Sequence, residues 1–462
     1  MTARRFDIVV IGAGPGGYVA ALRAANHGLS VAVVERDRLG GVCANQGCIP
    51  TKALLRSAEV YALVRDAAQF GVRVEGLSFD LAAIVERAKQ VAARMEKGVE
   101  SLLRSAKVEV LRGEARLAGA GRVVVCASDG ESTLEAGHVI LATGARPRVP
   151  AGLESDGRLV WTYREALAPT ELPVSLVIVG AGAIGVEFAS FYRTLGVEVT
   201  LVEMLPRVLP QEDEEISEAM GRSLKKSGVR VFCSTALVSM EKTAEEVRVV
   251  LQAGGKTETV TAQRLLVATG IVANLEGLGL EHTGVVVEGG RIVVDEWMRT
   301  GEAGVYAIGD ITGAPWLAHK ASAEATVCVD GIAGVAGARP LPRGAIPACT
   351  YASPQVASVG LTEAAARAAG FEVRCGRATF VGNGKARALG DTTGFVKTVF
   401  DAVTGELLGA HLIGPEVTEL VSTFTLARTL EATEAELLAT VFPHPTLSEA
   451  LHESVAAAFD RD

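Results

Sequence analysis

The chain has 462 residues, 49% of them hydrophobic and 21% charged, with a formal net charge of -9. That length suggests about three domains, and the acidic balance argues against nucleic acid or an anionic membrane surface as the main partner. The seven cysteines, at positions 43, 48, 126, 233, 328, 349 and 375, are odd in number and mostly scattered. This argues against a secreted disulfide framework and fits a reducing, cytoplasmic setting.

Met1-Thr2-Ala3-Arg4-Arg5 and the apolar run that follows imitate a signal peptide. Gly12, Gly14, Pro15, Gly16 and Gly17 interrupt the apolar region that such a peptide needs. No apolar stretch is long enough for a membrane span. The run Phe6 to Ile11 reads instead as a buried strand. It leads into Gly12-x-Gly14-x-x-Gly17, then a helical pattern through Tyr18, Leu22 and Ala25, then a strand from Val31 to Val34 ending in Glu35. This is a dinucleotide fingerprint in its proper context. Gly12 allows the tight turn, Gly14 lets a pyrophosphate approach, Gly17 lets helix and strand pack, and Glu35 accepts from ribose hydroxyls.

Cys43 and Cys48 come next, separated by four residues. Bridging them requires a curled segment, because a disulfide holds its Cα atoms within about 7 Å. Asn45 and Gly47 tolerate a turn. Ile49 onwards reads as a helix opening with Pro50 early, and a helix N-terminus would stabilise a thiolate at Cys48. Two readings stand: a redox pair, or two unrelated buried thiols. Long helices are expected around Ala53 to Phe70 and Leu81 to Ala106, and strand-like sequence from Val108 to Cys126. Val139 to Gly144 is a strand closing on Ala-Thr-Gly, and Pro147 and Pro150 mark a linker.

The whole unit then recurs. A strand from Leu176 to Val179 is followed by Gly180-x-Gly182-x-x-Gly185, a helix, a strand from Val197 to Val202, and Glu203. A second Ala-Thr-Gly ends at Gly270. Glu203 suits a free 2′-hydroxyl and repels a 2′-phosphate, so NAD is favoured over NADP. Arg207 reads as a solvated loop charge. Asp310, after the strand beginning at Val305, is either a ligand group at a strand's C-terminal edge or part of a surface turn. From Pro342 the pattern changes to strands at 356–359, 373–375, 395–400 and 407–412, then helices at 416–431 and 433–440, which suggests an α+β domain. His444 stands between Pro443 and Pro445, with Glu449 five residues on. It is either a structural histidine at a domain edge or one oriented by Glu449.

These motifs together resemble the flavin-dependent pyridine nucleotide-disulfide oxidoreductases, over essentially the whole length. The fold class implied is α/β, with two Rossmann-like dinucleotide-binding domains and a C-terminal α+β dimerisation domain. The boundaries expected are 1–148 for FAD, 149–272 for NAD, 273–341 for a central segment completing the FAD site, and 342–462 for the interface. The resemblance implies FAD on Gly12, Gly14, Gly17, Glu35, Gly113 to Ala115, Thr143, Gly144, Asp310 and Ala318. It implies NAD on Gly180, Gly182, Gly185, Glu187, Glu203 and Gly270. Lys52 would sit near the flavin and pair with Glu187. Cys48 would face the flavin and Cys43 the substrate. His444, oriented by Glu449, would act from the partner subunit of a homodimer. The implied activity is NAD-dependent oxidation of dihydrolipoamide on a lipoyl domain of a multienzyme complex, and no metal site is expected.

Glu203 argues against the NADPH-using glutathione-type reductases. Mercuric-ion reductases of this fold carry a C-terminal cysteine pair, and no cysteine follows Cys375. A catalytically silent flavoprotein would not need Cys43, Cys48, Lys52, His444 and Glu449 together. Ile271-Val272-Ala273 replaces an Arg-containing stretch frequent in the family, which bears on the NAD side.

Overall fold

A computed structural model describes residues 4–119 and 121–459; residues 1–3 of the N-terminal segment weighed above as a signal peptide lie outside it. No helix among the described residues is long and apolar enough to cross a membrane. The chain forms two compact units. One takes the described residues of Met1–Ala53, Ala83–Arg148 and Ile271–Leu341; the other takes those of Leu54–Ala82, Val149–Gly270 and Pro342–Asp462.

The first unit is built on a seven-stranded sheet. Its parallel part runs Glu109–Arg112, Val31–Glu35, Arg4–Ile11 and Gly130–Leu141, with Val305–Ala307 pairing parallel to the last of these. Every residue of Val31–Glu35 is buried, as befits a strand covered on both faces. Arg122–Ala127 and Glu114–Leu117 continue the sheet antiparallel, so the stretch read as generally strand-like is three separate strands. The helix Leu81–Ser105 buries Val85, Ala88, Ala92, Val99 and Leu103, the single stripe expected of an amphipathic helix. Pro147 is not in a free linker: Ala145–Pro147 pairs antiparallel with Ile271–Ala273.

The second unit repeats the parallel arrangement, with strands in the order Arg230–Phe232, Glu198–Val202, Ser175–Val179, Arg264–Val267 and Val160–Trp161. Three antiparallel strands, Ala236–Lys242, Val247–Ala253 and Lys256–Ala262, form a separate sheet. The C-terminal part is a five-stranded antiparallel sheet whose strand Leu407–Gly414 is wholly buried. Helices Val417–Thr429, Glu434–Ala439 and Glu449–Phe459 accompany it. Phe380, Phe400, Leu412, Phe424 and Leu451 fill its core.

One buried charge cluster in this unit follows from no local pattern. Lys397 Nζ is 3.0 Å from Asp213, 2.7 Å from Glu215 and 2.8 Å from Glu363, with both Lys397 and Asp213 only 2% exposed. Arg377 pairs with Glu215 as well. Glu215 is held at about 2, first by Arg377 and then by Lys397 against the effect of burial, and Glu363 at about 2, first by Lys397 and then by Arg367. Removing one partner of such a pair strands the other, which costs about 3–5 kcal/mol. Lys397→Met should therefore lower the melting temperature at neutral pH. Depressed carboxylates contribute stability above their unfolded value of 4.5 and lose it as pH falls towards about 2. The gap between variant and wild type should close across that window in pH-dependent melts.

Candidate active site

The two glycine fingerprints form two near-identical cradles, one in each unit. Gly12 and Gly180 have φ of +102° and +103°, where only glycine rests without strain. A Cβ on either would strike a carbonyl oxygen, of Ala142 or of Ala268. A Cβ on Gly17 or Gly185 would strike the carbonyl of Gly12 or of Gly180. Gly14 and Gly182 face open space. They begin the helices Pro15–Asn26 and Ala183–Thr194, and no side chain caps either N-terminus. Uncapped N–H groups beside an open backbone fit a pyrophosphate. Glu35 Oε2 accepts from Ala13 N at 2.7 Å, and Glu203 Oε2 accepts from Ala181 N at 2.7 Å. Both carboxylates are buried at the strand ends where ribose hydroxyls would reach them. Arg207 is held by Glu214 at 2.5 Å, so it is not a bare cation awaiting a 2′-phosphate.

The first unit also carries the cysteines. The segment between them curls as a short helix, Gly41–Gln46, rather than as a turn at Asn45; Gly47 then breaks the backbone and a second helix, Cys48–Arg65, starts on Cys48 itself. Asn45 serves by donating its side-chain amide to the carbonyls of Leu39 and Gly41, at 2.9 and 3.0 Å. Thr51 Oγ1 donates to Gly47 O at 2.6 Å and ties the new helix to the break. The helix continues to Arg65 without interruption, so the expected helix opening and the expected helix from Ala53 are one element, followed by a 3-10 turn at Ala67–Phe70. The two thiols lie in hydrogen-bond contact. That contact, together with burial, raises the Cys43 thiol well above its ordinary range, while Lys52 opposes the shift and Asp310 adds to it. Cys48 stands at the helix N-terminus, where the helix dipole favours a thiolate. Lys52 is one turn further along the same helix face.

The first unit also holds the remaining FAD candidates. Gly113, at φ +153°, donates its N–H to Glu35 O at 3.1 Å, and Ala115 is buried. Thr143 and Asn274 bond reciprocally: Thr143 Oγ1 donates to Asn274 O at 2.8 Å, and Asn274 Nδ2 donates to Thr143 O at 2.9 Å. Gly144 O accepts from Asn274 N. Asp310 lies on a 3-10 turn, Gly309–Thr312, rather than at the end of the strand. Burial pushes its carboxyl up to about 6, although Lys320 opposes this. Ala318 begins the helix Ala318–Ala333.

The second unit carries Glu187, Gly270 and the histidine. Glu187 is buried, and its Oε1 accepts from Tyr351 N at 2.9 Å, a backbone partner that no sequence motif announced. Gly270 has φ +104°. His444 is 79% exposed, and its Nδ1 lies 2.8 Å from Glu449 Oε1. Glu449 Oε2 accepts from Thr446 N at 2.9 Å. That bond first, and His444 second, hold the Glu449 carboxyl below its usual range. Nδ1 is thus committed to a carboxylate, so any proton exchange at this ring would fall to Nε2.

Comparison with known proteins agrees with this assembly. Residues 6–325 match the family model of the pyridine nucleotide-disulphide oxidoreductases, and residues 346–455 match that family's dimerisation domain. The dihydrolipoyl dehydrogenase of Rhizobium etli is 48% identical over 476 residues, covering 99% of both chains. That of Zymomonas mobilis is 50% identical over 463 residues, again covering 99% of both. The crystal structure of LpdA from Mycobacterium tuberculosis matches with a TM-score of 0.91 at 31% identity, covering 98% of this chain and 99% of that one. With both cradles, the cysteine pair and the dimerisation segment in place, the chain belongs to the pyridine nucleotide-disulphide oxidoreductases.

Proposed function

We infer that the chain is an NAD-dependent dihydrolipoyl dehydrogenase that uses FAD. The observation that carries this reading is the contact between the Cys43 and Cys48 thiols at the start of a helix, with Lys52 one turn on. When bound, FAD supplies the two-electron relay between the dithiol and NAD. The first cradle, Glu35, Asp310, Thr143, Gly144 and the start of the helix at Ala318 would hold it; the second cradle and Glu203 would hold NAD.

The chain's own chemistry is thiol exchange. In the oxidised enzyme a substrate thiolate attacks Cys43 Sγ, the Cys43–Cys48 bond breaks, and Cys48 leaves as a thiolate. The helix N-terminus and the charge of Lys52 stabilise that leaving group. The second substrate thiol, deprotonated by His444 Nε2, attacks the substrate sulfur of the mixed disulfide and expels Cys43 as a thiolate, which takes the proton back from His444. The products are the cyclic disulfide of lipoamide and a reduced cysteine pair. Glu449 keeps His444 in the required tautomer and balances the imidazolium charge. His444 lies in the dimerisation segment and is exposed, which supports a role towards the cysteines of the partner subunit in a homodimer. The functional divisions are those expected from sequence: 1–148, 149–272, 273–341 and 342–462. The physiological donor is a dihydrolipoyl group on a lipoyl domain of a 2-oxo acid dehydrogenase-type complex. The scattered thiols suit a reducing cytoplasm.

A substrate panel tests this reading. Dihydrolipoamide with NAD should turn over, and oxidised glutathione with NADPH should not. NAD should exceed NADP by roughly 10²-fold or more in kcat/KM, because Glu203 repels a 2′-phosphate and Arg207 is tied to Glu214. Preference for glutathione and NADPH would refute the assignment.

A further inference from the structure

We propose that Lys320 and Glu324 are positioning residues for the FAD site: one turn of the helix Ala318–Ala333 grips the Gly309 residue at both its N–H and its C=O, and so fixes where Asp310 presents its carboxylate. This rests on the FAD reading above.

Gly309, at φ +78°, opens the short turn Gly309–Thr312. Its N–H donates to Glu324 Oε2 at 2.8 Å. Its carbonyl accepts from Lys320 Nζ at 3.1 Å. The same ammonium donates to Thr312 Oγ1 at 2.9 Å and Gly313 O at 3.0 Å, and lies 3.1 Å from Glu324 Oε1. Its three protons go to the turn, and Glu324 Oε1 is an ion-pair neighbour that receives no hydrogen bond. Thr312 Oγ1 donates back to Gly309 O at 2.8 Å, and Gly313 N to Asp310 O at 3.0 Å.

The pair is almost wholly buried, with side-chain exposures of 4% and 0%. Burying two charges there is not needed for stability, since apolar residues of similar volume replace such pairs at little or no cost. What apolar residues cannot do is hold a peptide group by both its donor and its acceptor. The grip lies on the backbone immediately before Asp310, and it comes from the helix whose N-terminus carries Ala318. Two FAD contacts far apart in the motif order are thereby set by one rigid element. Lys320 also offsets the charge of Glu324, which would otherwise act alone on Asp310.

The decisive experiment measures release of FAD from the holoenzyme on dilution, by recovery of flavin fluorescence, with the visible flavin spectrum and thermal melts recorded in parallel. Lys320→Met/Glu324→Leu should melt within a few degrees of wild type yet release FAD roughly tenfold faster or more, with an altered flavin band. Release and spectrum equal to wild type would overturn the proposal. If that variant does not fold, Glu324→Gln and Glu324→Ala decide. Gln keeps an acceptor for Gly309 N–H and should release FAD within about threefold of wild type, while Ala should be roughly tenfold faster. Equal release from the two would overturn it. A wild-type protein purified folded but without flavin would instead defeat the FAD reading itself.

Discussion

Cys48→Ser protein will purify yellow and fold normally, but its reduction of NAD by dihydrolipoamide will fall by roughly 10³-fold or more. The reason is stoichiometric. Exchange needs a sulfur that can leave as a thiolate when Cys43 is attacked, and a serine oxygen forms no such bond. Flavin binding survives because the cradle is built from Gly12, Gly14, Gly17 and Glu35, on a strand-turn-helix that precedes residue 48 in the chain. Steady-state lipoamide turnover together with the flavin absorbance checks this. Full turnover in a variant that lacks the thiol would remove Cys48 from the electron path.

His444→Gln should depress dihydrolipoamide oxidation by about 10²–10⁴-fold, the usual worth of a positioned acid–base group. Reduction of the flavin by NADH, which requires no proton from a substrate thiol, should stay near wild type. Rapid-reaction measurement of the two half-reactions separates them. Comparable small losses in both would show that the histidine only supports the local fold. Glu449→Gln should fall between, since the amide can still meet Nδ1 but cannot balance an imidazolium.

The parts of this site that were readable from sequence are those held by local geometry. The spacing of Gly12, Gly14 and Gly17 is dictated by contacts within one strand-turn-helix, so the pattern and the structure coincide. The same holds for His444 and Glu449, five residues apart on one turn. Element boundaries were less legible where a chemical landmark interrupted a continuous element. Cys48, Pro50 and Ala53 all belong to a single helix, because Pro50 lies in its first turn, where a missing N–H does no harm. The antiparallel strands between Ala236 and Ala262 leave little mark in the sequence, because Ala236–Lys242 buries no residue fully and Lys256–Ala262 buries only Val260 and Ala262. The Lys397 cluster was out of reach altogether: its partners lie as much as 184 residues apart. Lys320 and Glu324 did leave a local trace in their i,i+4 spacing, but nothing in that spacing reveals which backbone they hold.

Glu203 has a second duty that bears on any attempt to redirect coenzyme preference. Its two oxygens bind the amides of Ala181 and Leu205, so the acid that would select the ribose also staples the glycine loop to the strand end. Swapping it for a small neutral residue to admit NADP would relax the loop at the same stroke. A redesign has to return an acceptor for both amides before a new cation is added.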